Sequence, residues 1–402
     1  MPHNYISPLL QPSDKKIVLL ILDGLGGLPM EVGGPTALEA AEAPNMDRLA
    51  SEGNLGQIVP IRAGITPGSG PAHLALFGYD PLVYDIGRGA LSAAGVGVDV
   101  HPGDVAARGN LCTLDANGSI TDRRAGRISH EKAAPIVEIL NTVEIPGVKT
   151  EVHQVKEYRV VVVMRGEELH PHLTDTDPQK TGVPPLPVRA TDPDSERAAK
   201  LFNQWLKKAR EALSDQPQAN GVNLRGFATD PALPSYQDAY NLKAACIACY
   251  PMYRGVSKLV GMDVIHFEGS HPEDEFEAAK RIWDDYDFFF VHIKKTDSMG
   301  EDGNFDGKVK IIEGVDAALP ALMELDPDVL LITGDHSTPA VMKSHSWHPV
   351  PFLLWAPETV LPDTQTQFGE RACALGGLGT FPAVDTMSLA LAHAGRLNKY
   401  GA

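Results

Sequence analysis

The chain has 402 residues, 43% hydrophobic and 22% charged, and its 52 acidic against 35 basic residues give a net charge of −17. That balance excludes loose binding to nucleic acid or to an anionic membrane surface, both of which need a positive face. Any anionic substrate must therefore be met by a local group of Arg or Lys. A single hydrophobic core stops growing at about 250–300 residues, so two domains are the default expectation, with one elaborated domain as the alternative. No apolar stretch reaches the roughly 20 residues of a membrane span. The opening MPHNYISPLLQPSDKK lacks the basic start and apolar centre of an export signal, so the expected location is the cytoplasm.

Residues 17 to 22, IVLLIL, form a continuous apolar run of the kind found in a parallel strand covered on both faces. It ends at Asp23-Gly24, with Gly26 and Gly27 just beyond, so a carboxylate stands at the end of the first strand. PNMDRLASEG reads as a short helix with Asn45 as its cap and Gly53 as its stop. In ITPGSGPAHLALFGYD, residues 65 to 80, a Gly- and Pro-rich turn carries Ser69 into a helix whose first turn suits Pro71. Ser69 there serves either as a helix cap or as a nucleophile whose anionic form the helix N-terminus favours.

From residue 100 to about 240 the character changes. DRRAGRI sets Arg123, Arg124 and Arg127 beside Asp122, and YRVVVVMRG reads as a strand. A long Pro- and Asp-rich connection follows, and then an amphipathic helix in ERAAKLFNQWLKKAREAL behind a capping Ser195. The three arginines read either as a solvated face or as an anion clamp. The alternation of strands and helices resumes near residue 243, with AACIACYP as a strand and MYRGVSKLVGM as a helix carrying Arg254 and Lys258. Its C-x-x-C, Cys246 and Cys249, lies in an apolar run with no second pair, which favours buried thiols over a redox or metal pair. Cys112 and Cys373 are too remote from these for a disulfide framework. EDEFEAAKRIWDDY is an amphipathic helix. DFFFVHIKKTDSMGEDGNFDGK is a strand with His292 and Lys294, running into an acidic loop of Asp297, Glu301, Asp302 and Asp306. After the helix GKVKIIEGVDAALPALMEL comes VLLITGDHSTP, a buried strand opening at Gly334 onto Asp335 and His336. His348 follows in SHSWHPVP, then the strand PFLLWAP and a helix in VDTMSLALAHAG.

Asp23, Asp297 and Asp335-His336 thus stand at the ends of separate apolar strands, with Ser69 in a turn and His348 in a loop. Each has a structural explanation taken singly. Together they are better explained by one site holding two divalent ions, which needs oxygen and imidazole ligands of this kind.

The order strand-DG, G-S-G-P-A-H, H-I-K-x-T-D, T-G-D-H-S and S-H-S-W-H-P-V-P resembles the alkaline phosphatase superfamily. More narrowly it resembles the cofactor-independent phosphoglycerate mutases of the archaeal type, over nearly the whole chain. The resemblance implies an α/β fold, an alkaline-phosphatase-like sheet sandwiched by helices, with a smaller inserted α+β domain. Residues 1–101 and 241–402 would form the metal-binding catalytic domain, and 102–240 the substrate-binding cap. By resemblance, one metal would be held by Asp23, Ser69, Asp335 and His336, and the other by Asp297, His348 and the residue at 301. Ser69 would take the phosphoryl group from 3-phosphoglycerate and return it to the 2-hydroxyl of glycerate, with no bisphosphoglycerate required. The family pattern T-D-x-x-G-H-D-G reads TDSMGEDG here, so Glu301 stands where a histidine is expected. A carboxylate there favours Mg²⁺ or Mn²⁺, with Zn²⁺ or Co²⁺ as the other options.

Positive charge for the substrate is assigned to Arg123, Arg124 and Arg127, with Arg254 and Lys294 nearer the metals and Arg88 and Arg108 as further candidates. Asp122 would accept from glycerate hydroxyls or anchor the arginines; His130 and His170 are candidates for proton movement. The partner expected is a small phosphoglycerate, with no nucleic acid and no membrane, and the oligomeric state is open. Two rival readings remain: a related phosphotransferase or phosphatase on another small substrate such as homoserine, and a metal-binding relative without turnover.

Overall fold

The computed structural model describes residues 3–84 and 86–401. It separates into two compact units, unit 1 of Met1–Asp85 with Leu233–Ala402 and unit 2 of Ile86–Ala232. Unit 1 opens with strands β1 (Ile17–Leu22) and β2 (Asn54–Val59). Unit 2 contains β3 (Val105–Leu114), β4 (Ile120–Asp122), β5 (Lys149–Lys156), β6 (Arg159–Arg165) and β7 (Gly221–Ala228). The chain then returns to unit 1 with β8 (Ala244–Ala248), β9 (Asp263–Val264), β10 (Phe288–Ile293), β11 (Val329–Thr333), β12 (Val350–Trp355) and β13 (Gly379–Pro382).

The unit 1 sheet has the order β13-β2-β12-β11-β1-β10-β8-β9. From β11 to β9 its neighbours are parallel, whereas β12 runs antiparallel to both β11 and β2. Every residue of β1, β8, β10, β11 and β12 is buried, which is why these segments read as unbroken apolar runs. The register pairs Leu22 with Ile293 and Ile21 with Thr333, so β1, β10 and β11 finish at one edge of the sheet. That edge, the carboxyl ends of parallel strands, is where an α/β sheet leaves room for a ligand.

Unit 2 is an antiparallel sheet in the order β4-β3-β6-β5, with β7 also paired to β3. Its core sets Val160, Val162 and Leu111 against Phe202 and Trp205 of the helix Glu196–Ala212. The junctions fall at 85/86 and 232/233, where the sequence reading has them at 101/102 and 240/241. The helix Arg88–Gly95 accounts for the first difference, because it packs on the unit 2 sheet. A Cβ on Gly89 would meet the Ala106 carbonyl oxygen at 2.1 Å, so only glycine lets the helix lie that close to β3. Residues 233–240 account for the second: the Tyr79 hydroxyl donates to the Pro234 carbonyl at 2.7 Å within unit 1.

Three local expectations change. Helix Pro44–Glu52 starts on Pro44 rather than behind an Asn45 cap, and the Asn45 side chain instead donates to Asp316. Ser195 makes no side-chain cap; the Asp192 carboxylate accepts from the Ser195 N–H at 2.8 Å. The acidic stretch after β10 is a helix, Lys295–Asp302, capped by Gly303 in the left-handed region, so Asp297 stands in its first turn rather than at a strand end.

Candidate active site

Asp23 is the first residue past β1, Lys294 the first past β10, and Gly334 the first past β11, with Asp335 and His336 behind it. The turn after β1 works because Gly24 adopts φ +62°; a Cβ there would stand 2.5 Å from Thr338 Oγ1 and 2.9 Å from Asp297 Oδ1. Ser69 is the first residue of the helix Ser69–Leu76.

His336 is the centre of the arrangement. Its Nε2 lies 3.5 Å from Asp23 Oδ1, 3.2 Å from Asp335 Oδ2 and 3.2 Å from Ser69 Oγ. The imidazole of His345 stacks on it, ring centres 3.6 Å apart, and points Nε2 at Asp297 Oδ1 at 3.6 Å. Two sets of ligand atoms gather within 4.8 Å: Asp23, Asp335 and His336, and then Asp297, His336 and His345.

Both histidines are held in one tautomer. The Thr338 hydroxyl donates its proton to Asp297 Oδ1 at 2.8 Å, so at 3.0 Å it can only accept from His336 Nδ1–H. His345 Nδ1 stands 3.1 Å from the Pro67 carbonyl, which can only accept. In each ring the other nitrogen, Nε2, is left with its lone pair toward the carboxylates, the orientation a metal-ligating imidazole takes.

Asp335 Oδ1 accepts the Gly24 N–H at 3.0 Å, whereas Asp23 Oδ1 and Asp335 Oδ2 are buried with no hydrogen-bond partner among the described residues. Unpaired buried carboxylate oxygens are costly unless a cation or donor meets them. Burial, and then the charge of Asp335, raises Asp23 well above the ordinary carboxylate range, and burial pushes Asp335 up to about 7. Burial also holds His336 well below its usual value and lowers His73 to about 4, so both rings are neutral. For Lys294 burial works the other way and is outweighed: Asp23, at 2.9 Å from Nζ, and Asp297, at 2.5 Å, raise the ammonium. Hard carboxylate oxygens with imidazole nitrogens suit a divalent cation, and the two orphaned oxygens turn toward where it would sit.

His348 is not part of this arrangement. Its Nδ1 meets Ser346 Oγ at 3.0 Å and its ring stacks on Trp347; His345, three residues earlier, is in the second set. Glu301 is 56% exposed at its side chain and stands 3.8 Å from His345 Nε2, at the margin of the second set. Arg254 donates Nε to the Ala248 carbonyl at 2.7 Å, at the end of β8.

The remaining predicted residues belong to unit 2. Arg123 forks onto Asp177 at 2.9 and 2.7 Å, with Arg225 3.6 Å from the same carboxylate. Asp122 accepts from the Arg124 and Gly126 N–H groups, both at 2.7 Å. Both its oxygens thus take part in shaping the turn. Arg124, Arg127, His130 and His170 are exposed, as is Arg88, and Arg108 is half-buried in β3.

Besides His345, sequence reasoning missed Thr338, His73 and Tyr253. His73 meets the Ser69 carbonyl at 2.7 Å and Asp335 Oδ2 at 3.4 Å, and the Tyr253 hydroxyl donates to Asp23 Oδ2. A tyrosine or threonine serving a carboxylate leaves no mark on periodicity. The His of G-S-G-P-A-H was on the page as a motif letter only.

A relative from Thermosipho africanus, named as a probable 2,3-bisphosphoglycerate-independent phosphoglycerate mutase, is 54% identical over 399 residues, covering 99% of this chain and 98% of its own. The chain belongs to that family. A relative of the same name from Thermus thermophilus is 52% identical over 401 residues, covering 99% of this chain and 98% of its own. A profile of the 2,3-bisphosphoglycerate-independent phosphoglycerate mutase family matches residues 50–219. Among solved structures, the fold is similar to a Pyrococcus horikoshii protein, with TM-score 0.84, 32% identity and coverage of 96% of this chain and 99% of that one. It is also similar to a cofactor-independent phosphoglycerate mutase of Thermoplasma acidophilum, with TM-score 0.73, 31% identity and coverage of 94% and 100%. The expected α/β class and family assignment hold, and with them the assignment as an enzyme of the isomerase type.

Proposed function

We propose that this family member interconverts 3-phosphoglycerate and 2-phosphoglycerate without bisphosphoglycerate, in the cytoplasm, with Ser69 as the transient phosphoryl acceptor. The observation that carries the reading is the position of Ser69 Oγ, 3.2 Å from His336 Nε2 at the first residue of a helix. Ser69 Oγ gives up its proton and forms a bond to phosphorus as the bond from phosphorus to the substrate 3-oxygen breaks, and that oxygen takes up a proton to become a hydroxyl. The 2-hydroxyl of the retained glycerate then attacks the phosphoserine and regenerates the serine, so no proton or phosphate is gained or lost overall. The free N–H groups of the helix Ser69–Leu76 face the anion throughout.

Asp23, Asp335 and His336, with Ser69, would hold one divalent ion, and Asp297 and His345, with Glu301, the other. When bound, such ions lower the pKa of a hydroxyl and offset the charge of a phosphoryl group in transfer. Glu301 in place of a histidine makes the second set harder and favours Mn²⁺ or Mg²⁺. Lys294, fixed as an ammonium between Asp23 and Asp297, keeps positive charge beside the carboxylates. Asp23, Asp335 and His336 are buried and Ser69 half-buried, so the acceptor oxygen stands at the margin of a buried ligand set. In unit 2, the turn of Arg123, Arg124 and Arg127 is the anion-binding element proposed for the substrate, and unit 2 the substrate-binding domain.

A coupled assay for 2-phosphoglycerate formation tests this. Protein stripped with EDTA should be inactive without bisphosphoglycerate and regain turnover with Mn²⁺ or Mg²⁺. Folded protein that stays inactive with every ion, or turns over only with bisphosphoglycerate, would contradict it.

A further inference from the structure

Lys308 is fully buried in the first turn of the helix Phe305–Met323. It occupies the core-facing stripe that continues through Ile312, Val315, Leu319 and Leu322, where an apolar residue would be expected. Its ammonium donates to three backbone carbonyls, those of Gly24 at 2.7 Å, Gly26 at 3.1 Å and Thr338 at 3.0 Å. Three donors meet three acceptors, which only the charged form can do. Gly24 and Gly26 belong to the turn after β1, and Thr338 to the turn after β11, and the two turns already touch where the Thr338 N–H meets the Gly26 carbonyl at 2.9 Å. The half-buried Glu370 takes the Gly27 N–H at 2.8 Å and the Thr36 hydroxyl, and its charge supports the Lys308 ammonium against the effect of burial.

We propose that Lys308 is a positioning residue whose ammonium, with Glu370, clamps the 23–27 turn to the 335–338 turn and so sets the spacing of Asp23, Asp335 and His336. Asp23 directly precedes one gripped carbonyl, and His336 stands two residues before another. The turns are also joined directly, by the Gly24 N–H to Asp335 Oδ1 and by the Thr338 N–H to the Gly24 and Gly26 carbonyls; Lys308 adds an anchor from a third element, the helix Phe305–Met323, that neither strand provides. Buried carbonyls left unpaired would turn away in search of partners. The ligand atoms would then move with them. The role concerns metal affinity, so it rests on the metal reading above.

Lys308→Met keeps the length and removes all three donors. Two measurements on it decide the matter: Mn²⁺ binding by calorimetry, and amide hydrogen exchange of metal-free protein. The expected results are a dissociation constant raised at least about 10-fold, in the range of lost outer-shell partners, and faster exchange at Gly24–Gly27 and Thr338 with β12 unchanged. Wild-type affinity together with wild-type exchange would overturn the clamp. Should Lys308→Met fail to fold, Glu370→Gln, which retains an acceptor for Gly27, carries the same test. Weakened Mn²⁺ binding and faster exchange in the 23–27 turn would support the clamp, and unchanged values would overturn it. Wild-type protein that binds no Mn²⁺ would overturn the metal reading, and the exchange rates would still decide the clamp.

Discussion

His345 and His348 are the closest pair of alternatives in the site. The first points Nε2 at Asp297 and is locked by the Pro67 carbonyl; the second hydrogen-bonds to Ser346 and stacks on Trp347. Mn²⁺ calorimetry on His345→Ala should show affinity lost by about 10–100-fold or more, by comparison with outer-shell losses. His348→Ala should bind as wild type, and equal losses in both would contradict the assignment. The sequence could not separate them, because a strand pattern locates Asp335 and His336 at its end, whereas spacing within an irregular loop carries no direction. Thr338 and Tyr253 were silent for a related reason: their work is done by one hydroxyl each. Away from the site, Glu275 is buried with Oε2 unpartnered, and burial, then Asp274, pushes it up to about 9. A carboxyl whose folded pKa exceeds its unfolded value of about 4.3 favours the folded state while protonated and loses that contribution as pH rises through both values. From Glu275, stability should therefore fall by up to about 1.4 kcal/mol per pH unit between about 4.3 and 9. Denaturant titration across pH should show Glu275→Gln lacking that slope, and an identical slope in the variant would contradict it.

The turn after β4 shows how an element prepares charged groups for use. Asp122 accepts two N–H groups of the turn, while Ala125 and Arg127 are held at φ 46° and 52°, a region that costs non-glycine residues. Asp122→Ala removes what offsets that cost, a loss of about 1 kcal/mol per hydrogen bond, since the released N–H groups are exposed to water. Steady-state kinetics should show KM for 3-phosphoglycerate raised with kcat near wild type; a fall in kcat alone would argue against an anion-binding turn. Elements were legible in proportion to how plainly their burial is written. IVLLIL, FFFVHI and VLLIT are buried throughout and read directly as strands. RGALSAAG carries little helical signal, because its contact with β3 is made by glycine and alanine. KTDSMGED, rich in charge, read as a loop, although Gly303 ends it as a helix.

At the scale of the molecule, a net charge of −17 leaves the two orphaned carboxylate oxygens in an already acidic protein, so a divalent cation should contribute to stability as well as to chemistry. At 100 times its dissociation constant, Mn²⁺ should stabilise the folded protein by about 2.7 kcal/mol. Chemical denaturation with and without EDTA measures this, and curves that superimpose would count against a metal site in unit 1. The family and the existence of a second unit were legible in motifs spread along the chain. The junctions were not, since they are set by packing, of the helix Arg88–Gly95 on β3 and of Pro234 against Tyr79. The central claim is that Ser69 carries the phosphoryl group during turnover. Rapid acid quench of the Mn²⁺-loaded protein with 3-phosphoglycerate, followed by tandem mass spectrometry of the peptide containing residue 69, tests it most directly. The account predicts phosphoserine at Ser69, absent without metal. Turnover with an unmodified Ser69, or a phosphoryl group found on another residue, would contradict it.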